Sequence, residues 1–328
     1  MTREEALAKG LVLCESLPIQ TVARQLHEQY PEHFASVNLA RGQLRYRRGA
    51  QGDNRRQFVP VENHQLSTIA EGLSKLRRQE KTREEPLYID QCKCLVMSDL
   101  HIPYHRHDCI ALALETGKAW GMDTILLNGD VIDFYGISRF NKDPKRMRIE
   151  DELEITKSFL NLLKDEFPGV RIIYKFGNHE RRLKTYLQTQ ADALTGLRCL
   201  ELEQLLELGE MNIETLKMER VLLGKLTVLH GDELPHGMGM PVNPARGVFL
   251  RAKDSTLVGH HHQVSEHSEG TISGKSIACW STGCLCDLSP DYLYYGGLKW
   301  KHGFALVDVD SDGLFTVRNH SIIDGKVH

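Results

Sequence analysis

The 328-residue sequence lacks any uninterrupted apolar run approaching the roughly eighteen residues that a membrane span requires. Its opening, MTREEALAKG, lacks the apolar core of a secretory leader, so a soluble, cytoplasmic protein without membrane contact is expected. No internal repeat and no low-complexity tract is present, and solenoid or fibrous architectures are set aside. Cysteine is sparse: eight in this length make no disulfide framework, and reduced, buried thiols are the expected state. The close pairs Cys92/Cys94 and Cys284/Cys286 are C-x-C, not the C-x-x-C common at structural zinc, and are read as buried thiols too. Nor does one sign of charge dominate. With 41 Lys and Arg against 44 Asp and Glu, any nucleic-acid contact must come from a local patch.

What is present is ordinary globular composition, 41% hydrophobic and 26% charged, in a chain long enough for one large domain and a small one. Three short amphipathic stretches open it, near 2–15, 19–30 and 36–48, punctuated by SLP and YPEHFAS. They predict a small all-α domain. Arg41, Arg45 and Arg48 fall at i, i+4 and i+7, on one side of the third helix. Helix, turn and arginine-faced helix together resemble a helix-turn-helix, in which these arginines would meet nucleic acid. The competing reading is a solvated basic face or a helical cap on the larger domain, and Gly42 weakens the helix by about 1 kcal/mol. Leu66, Ile69, Leu73 and Leu76 then form a short heptad stripe, expected to pack against its own domain or to join copies of the chain into a homo-oligomer. The charged run RRQEKTREEP ends at a proline, so the domains are placed at 1–85 and 86–328.

Beyond that boundary KCLVMSDL, TILLNGDV, VRIIYKFGNHE, KLTVLHGDE and STLVGHHH each run from an apolar stretch into glycine, acid or histidine. Helical stretches lie between the earlier ones. Buried strands alternating with helices predict an α/β domain whose functional groups gather at strand ends. Those endings are Asp99 and His101; Asp130 and Asp133; Asn178, His179 and Glu180; His230; and His260 with His262. Carboxylate, amide oxygen and imidazole without thiolate suit Mn2+, Fe or Zn2+ better than a calcium cage. So many donors exceed the needs of one ion, and two divalent ions are implied.

The order and spelling of D-x-H, G-D-x-x-D, G-N-H-E, the lone His of LHGD and G-H-x-H resemble the five motifs of the calcineurin-like metallophosphoesterases, in their phage and bacterial form. The resemblance covers roughly residues 90–310 and does not speak for the N-terminal segment. It implies a four-layer αββα sandwich of two mixed sheets. It further implies that Asp99, His101 and His262 hold one metal and Asn178, His230 and His260 the other, with Asp130 bridging them. His261 is then structural. By the same resemblance His179 protonates the leaving oxygen or stabilises its charge, Asp133 orients that imidazole, and water activated by the two cations attacks phosphorus. Mn2+ is the expected metal, with Fe, Zn2+ or Ni2+ as alternatives. His105, His107 and His267 hold no motif position and are read as structural; His236, in the glycine-rich loop GDELPHGMGMP, is read as reaching substrate.

Protein serine/threonine phosphatases of the superfamily carry arginine after the second motif's last aspartate, where this chain has Phe134. That departure counts against a protein phosphatase. Arg181 or Arg182, directly after GNHE, is expected to supply the missing phosphate contact. A basic helical domain beside a two-metal hydrolase, with a second basic stretch NKDPKRMR, favours DNA or RNA as substrate. The alternatives are a nucleotide or other small-molecule phosphoesterase whose N-terminal helices serve oligomerisation, and a DNA-binding regulator that keeps the fold as scaffold.

Overall fold

The computed structural model describes residues 1–48, 63–76, 85–139, 147–234, 242–289 and 299–328. The chain forms two compact units, Met1–Lys81 and Thr82–His328.

In the first unit, α1 (Arg3–Leu13) starts at a reciprocal cap: Thr2 N donates to Glu5 Oε2 at 2.8 Å and Glu5 N to Thr2 Oγ1 at 3.3 Å. Pro18 precedes α2 (Ile19–Gln29), and α3 spans Val37–Arg48. Ala6, Leu7, Val22, Leu26, Phe34, Ala40 and Leu44 meet in one small core. Gly10 permits the close approach of α1 to α2, because a Cβ there would stand 2.7 Å from Leu26 Cδ1. Two of the three arginines expected to face outward together also bond within the unit, although Arg48 is still exposed. Arg48 donates to the Cys14 carbonyl at 2.9 Å and Arg41 to Gln20 Oε1 at 3.2 Å. Arg45 stays exposed. A fourth helix, α4 (Asn63–Ser74), carries the heptad stripe, and Ile69, Leu73 and Leu76 are 60–65% exposed. For the described members Ile69, Leu73 and Leu76, the expected packing against their own domain is not found.

The second unit holds two mixed sheets. The first has the order β13-β12-β11-β2-β3-β4-β5, with β2 (Cys92–Met97), β3 (Thr124–Asn128), β4 (Arg171–Lys175) and β5 (Glu214–Leu216) parallel. β11 (His302–Val309) and β12 (Phe315–Ile323) continue it antiparallel, and β13 (Lys326–Val327) closes that edge. The second sheet has the order β1-β6-β7-β8-β10-β9, with β7 (Leu226–Leu229) and β8 (Thr256–Val258) parallel at its centre. Its remaining strands are β1 (Leu87–Ile89), β6 (Val221–Leu223), β9 (Ser265–Gly270) and β10 (Ser276–Ser281).

The two-residue period of a strand explains the layers. Cys94 and Val96 of β2, Leu126 of β3 and Ile173 of β4 point between the sheets, against Val221, Val228 and Leu257. Their neighbours Leu95, Met97, Ile125, Leu127 and Tyr174 point the other way, beneath α5 (His107–Trp120) and α6 (Ile149–Glu166). Strands buried on both faces read as continuous apolar runs, which is why these stretches stand out in the sequence. Helix α9 (Pro244–Ala252) packs Ala245 and Val248 on Leu229, Val258 and Cys279 of the second sheet. Helix, sheet, sheet and helix make the four-layer sandwich. Between β4 and β5 run α7 (Glu180–Gln190) and the short α8 (Leu202–Leu205).

Candidate metal centre

Five loops leave the C-terminal ends of β2, β3, β4, β7 and β8, and each carries one of the polar endings read from the sequence. Asp99, His101, Asp130, His260 and His262 all adopt left-handed backbone, with φ of 57°, 51°, 54°, 64° and 54°. That region costs a residue other than glycine roughly 1–2 kcal/mol, so tertiary bonds must hold the loops there. They do: Asp99 N donates to Gly129 O at 3.1 Å, His101 N to Asp130 O at 2.9 Å, and His260 N to Asp99 Oδ2 at 2.8 Å. Gly177 is required, since a Cβ would collide with the Asp130 carboxylate and the His230 ring.

The ligand atoms form two clusters that share Asp130. In one, His262 Nε2 lies 3.1 Å from Asp99 Oδ1 and 3.2 Å from His101 Nε2, which is 4.0 Å from Asp130 Oδ2. In the other, His230 Nε2 lies 3.3 Å from both Asp130 Oδ2 and Asn178 Oδ1, and Asp130, His230 and His260 offer atoms all within 4.8 Å of one another. The outer nitrogens are committed. His230 Nδ1 donates to Asn128 O at 2.8 Å and His101 Nδ1 to Asp133 Oδ1 at 2.9 Å, so both Nε2 lone pairs face inward. Two imidazole nitrogens in contact beside carboxylates attract only with a proton or a cation between them. The donor set therefore fits divalent metal.

Charge keeps the pocket ready. Burial opposes ionisation of Asp130, but the charges of His179 and His230 hold its carboxyl well below the ordinary range. Burial opposes charge on His230 as well, and Asp130 nevertheless lifts it to about 9. Burial, followed by the charge of His230, lowers His260 to about 4, leaving it neutral. A cation held here would take the place of the proton on His230, so its binding would release protons.

The expected catalytic pair sits against this centre. His179 N donates to Asp130 Oδ1 at 2.9 Å and its Nδ1 to the Asp133 carbonyl at 2.8 Å. Asp133 thus serves two imidazoles: its carboxylate lies 2.9 Å from His101 Nδ1 and 3.1 Å from His179 Nδ1, and its carbonyl meets His179 as well. Arg182 Nη2 lies 2.8 Å from His179 Nε2. Burial opposes charge on His179, but Asp130 and then Asp133 raise it above its ordinary value. Arg182 also borders a cavity of about 690 Å3 that reaches Asn178 and His260 and extends along α7 past Tyr186 to Gln190. Arg181 turns elsewhere: it pairs with Asp232 and lines a separate groove, so of the two arginines only Arg182 stands at the cavity. His236 lies outside the described residues. His105 and His107 stack on each other, and His267 bonds Glu269 at 2.8 Å.

Three features escaped sequence reasoning. Glu180 is 2% exposed and accepts from Asp130 N, Val131 N, Gly177 N and the Tyr174 hydroxyl at 2.7–3.1 Å, so one carboxylate pins two ligand loops. Its place after G-N-H at a helix start was the available signal. Glu233 accepts from His230 N and Gly231 N while pairing at 2.8 Å with the fully buried Lys175. Cys286 lies with His101 and His262, their ligand atoms all within 4.8 Å of one another.

A profile of the calcineurin-like phosphoesterase family matches residues 92–300, well over half the chain. The chain belongs to that family. Solved structures similar to this phosphoesterase include Vps29 from Cryptosporidium parvum, 15% identical, with 73% of this chain and 96% of that chain covered and a TM-score of 0.38. Vps29 from Chaetomium thermophilum is 15% identical, with 72% and 95% covered and a TM-score of 0.36. Yfce, a phosphoesterase from E. coli, is 13% identical, with 69% and 98% covered and a TM-score of 0.31. No curated protein matches the chain. Phe134 of this phosphoesterase is fully buried in the core, so the position where protein phosphatases carry arginine offers no phosphate contact. No described helix is long and apolar enough to cross a membrane.

Proposed function

We propose that this phosphoesterase uses two divalent ions, Mn2+ foremost, to hydrolyse phosphoester bonds of nucleic acid. The sharing of Asp130 between two clusters of inward-facing donors carries the two-ion reading. Asp99, His101 and His262 would hold one ion and Asn178, His230 and His260 the other, with Asp130, whose Oδ2 faces both His101 and His230, shared between them. When bound, the ions supply Lewis acidity toward phosphoryl oxygens and lower the pKa of water.

The protein's own groups do the rest. Arg182, at the cavity wall, binds a phosphate oxygen through its planar guanidinium. When it turns to substrate, His179 Nε2 is free to carry the proton that it gives to the leaving oxygen, a charge that Asp130 and Asp133 favour against burial, and Asp133 holds the ring by Nδ1. The exposed Arg45 on α3 supports a polynucleotide substrate, together with a cavity that extends along α7 beyond the centre. The exposed stripe on α4 supports pairing with a second copy of the chain.

A second reading, hydrolysis of a free nucleotide, is favoured by the cavity alone, whose volume suits a small ligand. A manganese-supplemented panel of single-stranded DNA, duplex DNA, RNA, cyclic nucleotides and a phosphomonoester separates the two. Polynucleotide should be cut fastest, chelation should abolish cutting, and added Mn2+ should restore it. Arg45→Glu should slow polynucleotide cleavage at low salt and spare a small chromogenic ester. Equal effects on both substrates would detach the N-terminal unit from substrate binding.

A further inference from the structure

Cys284 and Cys286 lie fully and almost fully buried in a segment whose backbone is locked to the metal-facing loops. Leu285 N donates to the carbonyl of Asp99 at 3.1 Å, and Leu285 O accepts from Arg106 N at 2.8 Å. Asp287 N donates to Tyr104 O at 2.8 Å, and His302 Nε2 to the Cys286 carbonyl at 2.9 Å. Cys286 is thereby held in register with the very loop that presents Asp99 and His101. Its sulfur and one ring nitrogen each of His101 and His262 lie within 4.8 Å of one another. Around a tetrahedral zinc ion with bonds of about 2.0–2.3 Å, ligand atoms stand roughly 3.3–3.7 Å apart. The His101–His262 Nε2 separation of 3.2 Å is close to this, and Cys286, within 4.8 Å, stands at most about 1.5 Å beyond it.

We propose that Cys286 is a thiolate ligand of the ion held by Asp99, His101 and His262. The thiol gives its proton to solvent as the sulfur–metal bond forms. The centre then has a soft end, with one sulfur and two imidazoles beside Asp99 and the shared Asp130, and a harder end at Asn178, His230 and His260. Thiolate favours Zn2+ over Mn2+, so the two positions select different metals. This rests on the two-ion reading of the same centre.

Cobalt(II) tests both and keeps them apart. Equilibrium dialysis of the full chain counts bound ions, and the near-ultraviolet spectrum shows sulfur-to-cobalt charge transfer only if a thiolate binds. The expected result is two ions and an intense band that Cys286→Ser abolishes and Cys284→Ser retains. Zn2+ affinity at the tighter position should fall about 10- to 100-fold in Cys286→Ser, the scale of losing a metal-supporting group, while Mn2+ affinity stays near that of the wild type. Two ions without a band in the wild-type protein would overturn the thiolate and leave the two-ion reading standing; so would a band lost only in Cys284→Ser. Failure to bind two ions would instead overturn the reading of the centre itself.

Discussion

Glu180 closes the third motif and Arg182 follows it by two positions, and they work in opposite directions. Glu180 looks inward and gathers backbone donors from two loops, so its charge is fully used in positioning. Glu180→Gln keeps the volume but turns an amide N–H2 toward those donors. Hydrogen bonds to charged groups are each worth about 1.5–3 kcal/mol, so a stability loss of that order or more is expected in urea melts, with weakened metal binding by dialysis. Arg182 looks outward to the cavity and sideways to His179. Arg182→Ala should lower kcat/KM roughly a hundredfold, as expected for one lost phosphate donor. His179→Asn should lower kcat by about 10²–10⁴ with metal content intact. Because the two side chains touch, the double variant should lose less than the product of the single losses. A fully multiplicative double loss would mean that they act separately.

Among the elements, those most plainly written in the sequence are the central strands, whose buried runs leave no other reading of KCLVM or TILLN. The edge strand β9, SEHSEG, carries no apolar residue and has no pattern to detect; β10 pairs with it residue by residue and supplies its order. The helices of the first unit were equally legible, but the direction of their side chains was not. Arg48 points back to Cys14, and Gly42 sits where a Cβ meets nothing within 4 Å. Gly42→Ala should therefore stabilise that unit by about 0.5–1 kcal/mol in thermal melts. The stripe on α4 gives a test of association. If it pairs copies of the chain, Ile69→Glu with Leu73→Glu should convert the particle to a monomer in light scattering, with the activity toward a small ester unchanged.

Across the whole molecule, the sandwich brings together charges that the chain keeps far apart, and this affects its response to pH. Glu152 of α6 is fully buried, and burial, then the charge of Asp133, pushes its carboxyl from an ordinary 4.5 up to about 8. Between those values the folded protein holds a proton that the unfolded chain releases. Stability must therefore fall as pH rises through that window, by up to about 1.4 kcal/mol per pH unit from this group. Urea melts from about pH 5 to about pH 8 should show the decline, and Glu152→Gln should flatten it. A variant with the wild-type slope would assign the decline to other groups.

The sequence by itself determined which donors end the strands, in what order, and hence the family of chemistry and the α/β architecture, because apolar periodicity and residue type are local properties. Only the tertiary structure decided which donors meet. His101 and His262 are 161 residues apart and touch at 3.2 Å, a contact set by how two sheets stack and not by any spacing along the chain. The same stacking decided that Glu180 anchors two loops, that Arg182 and not Arg181 reaches the cavity, and that Cys286 lies among histidines.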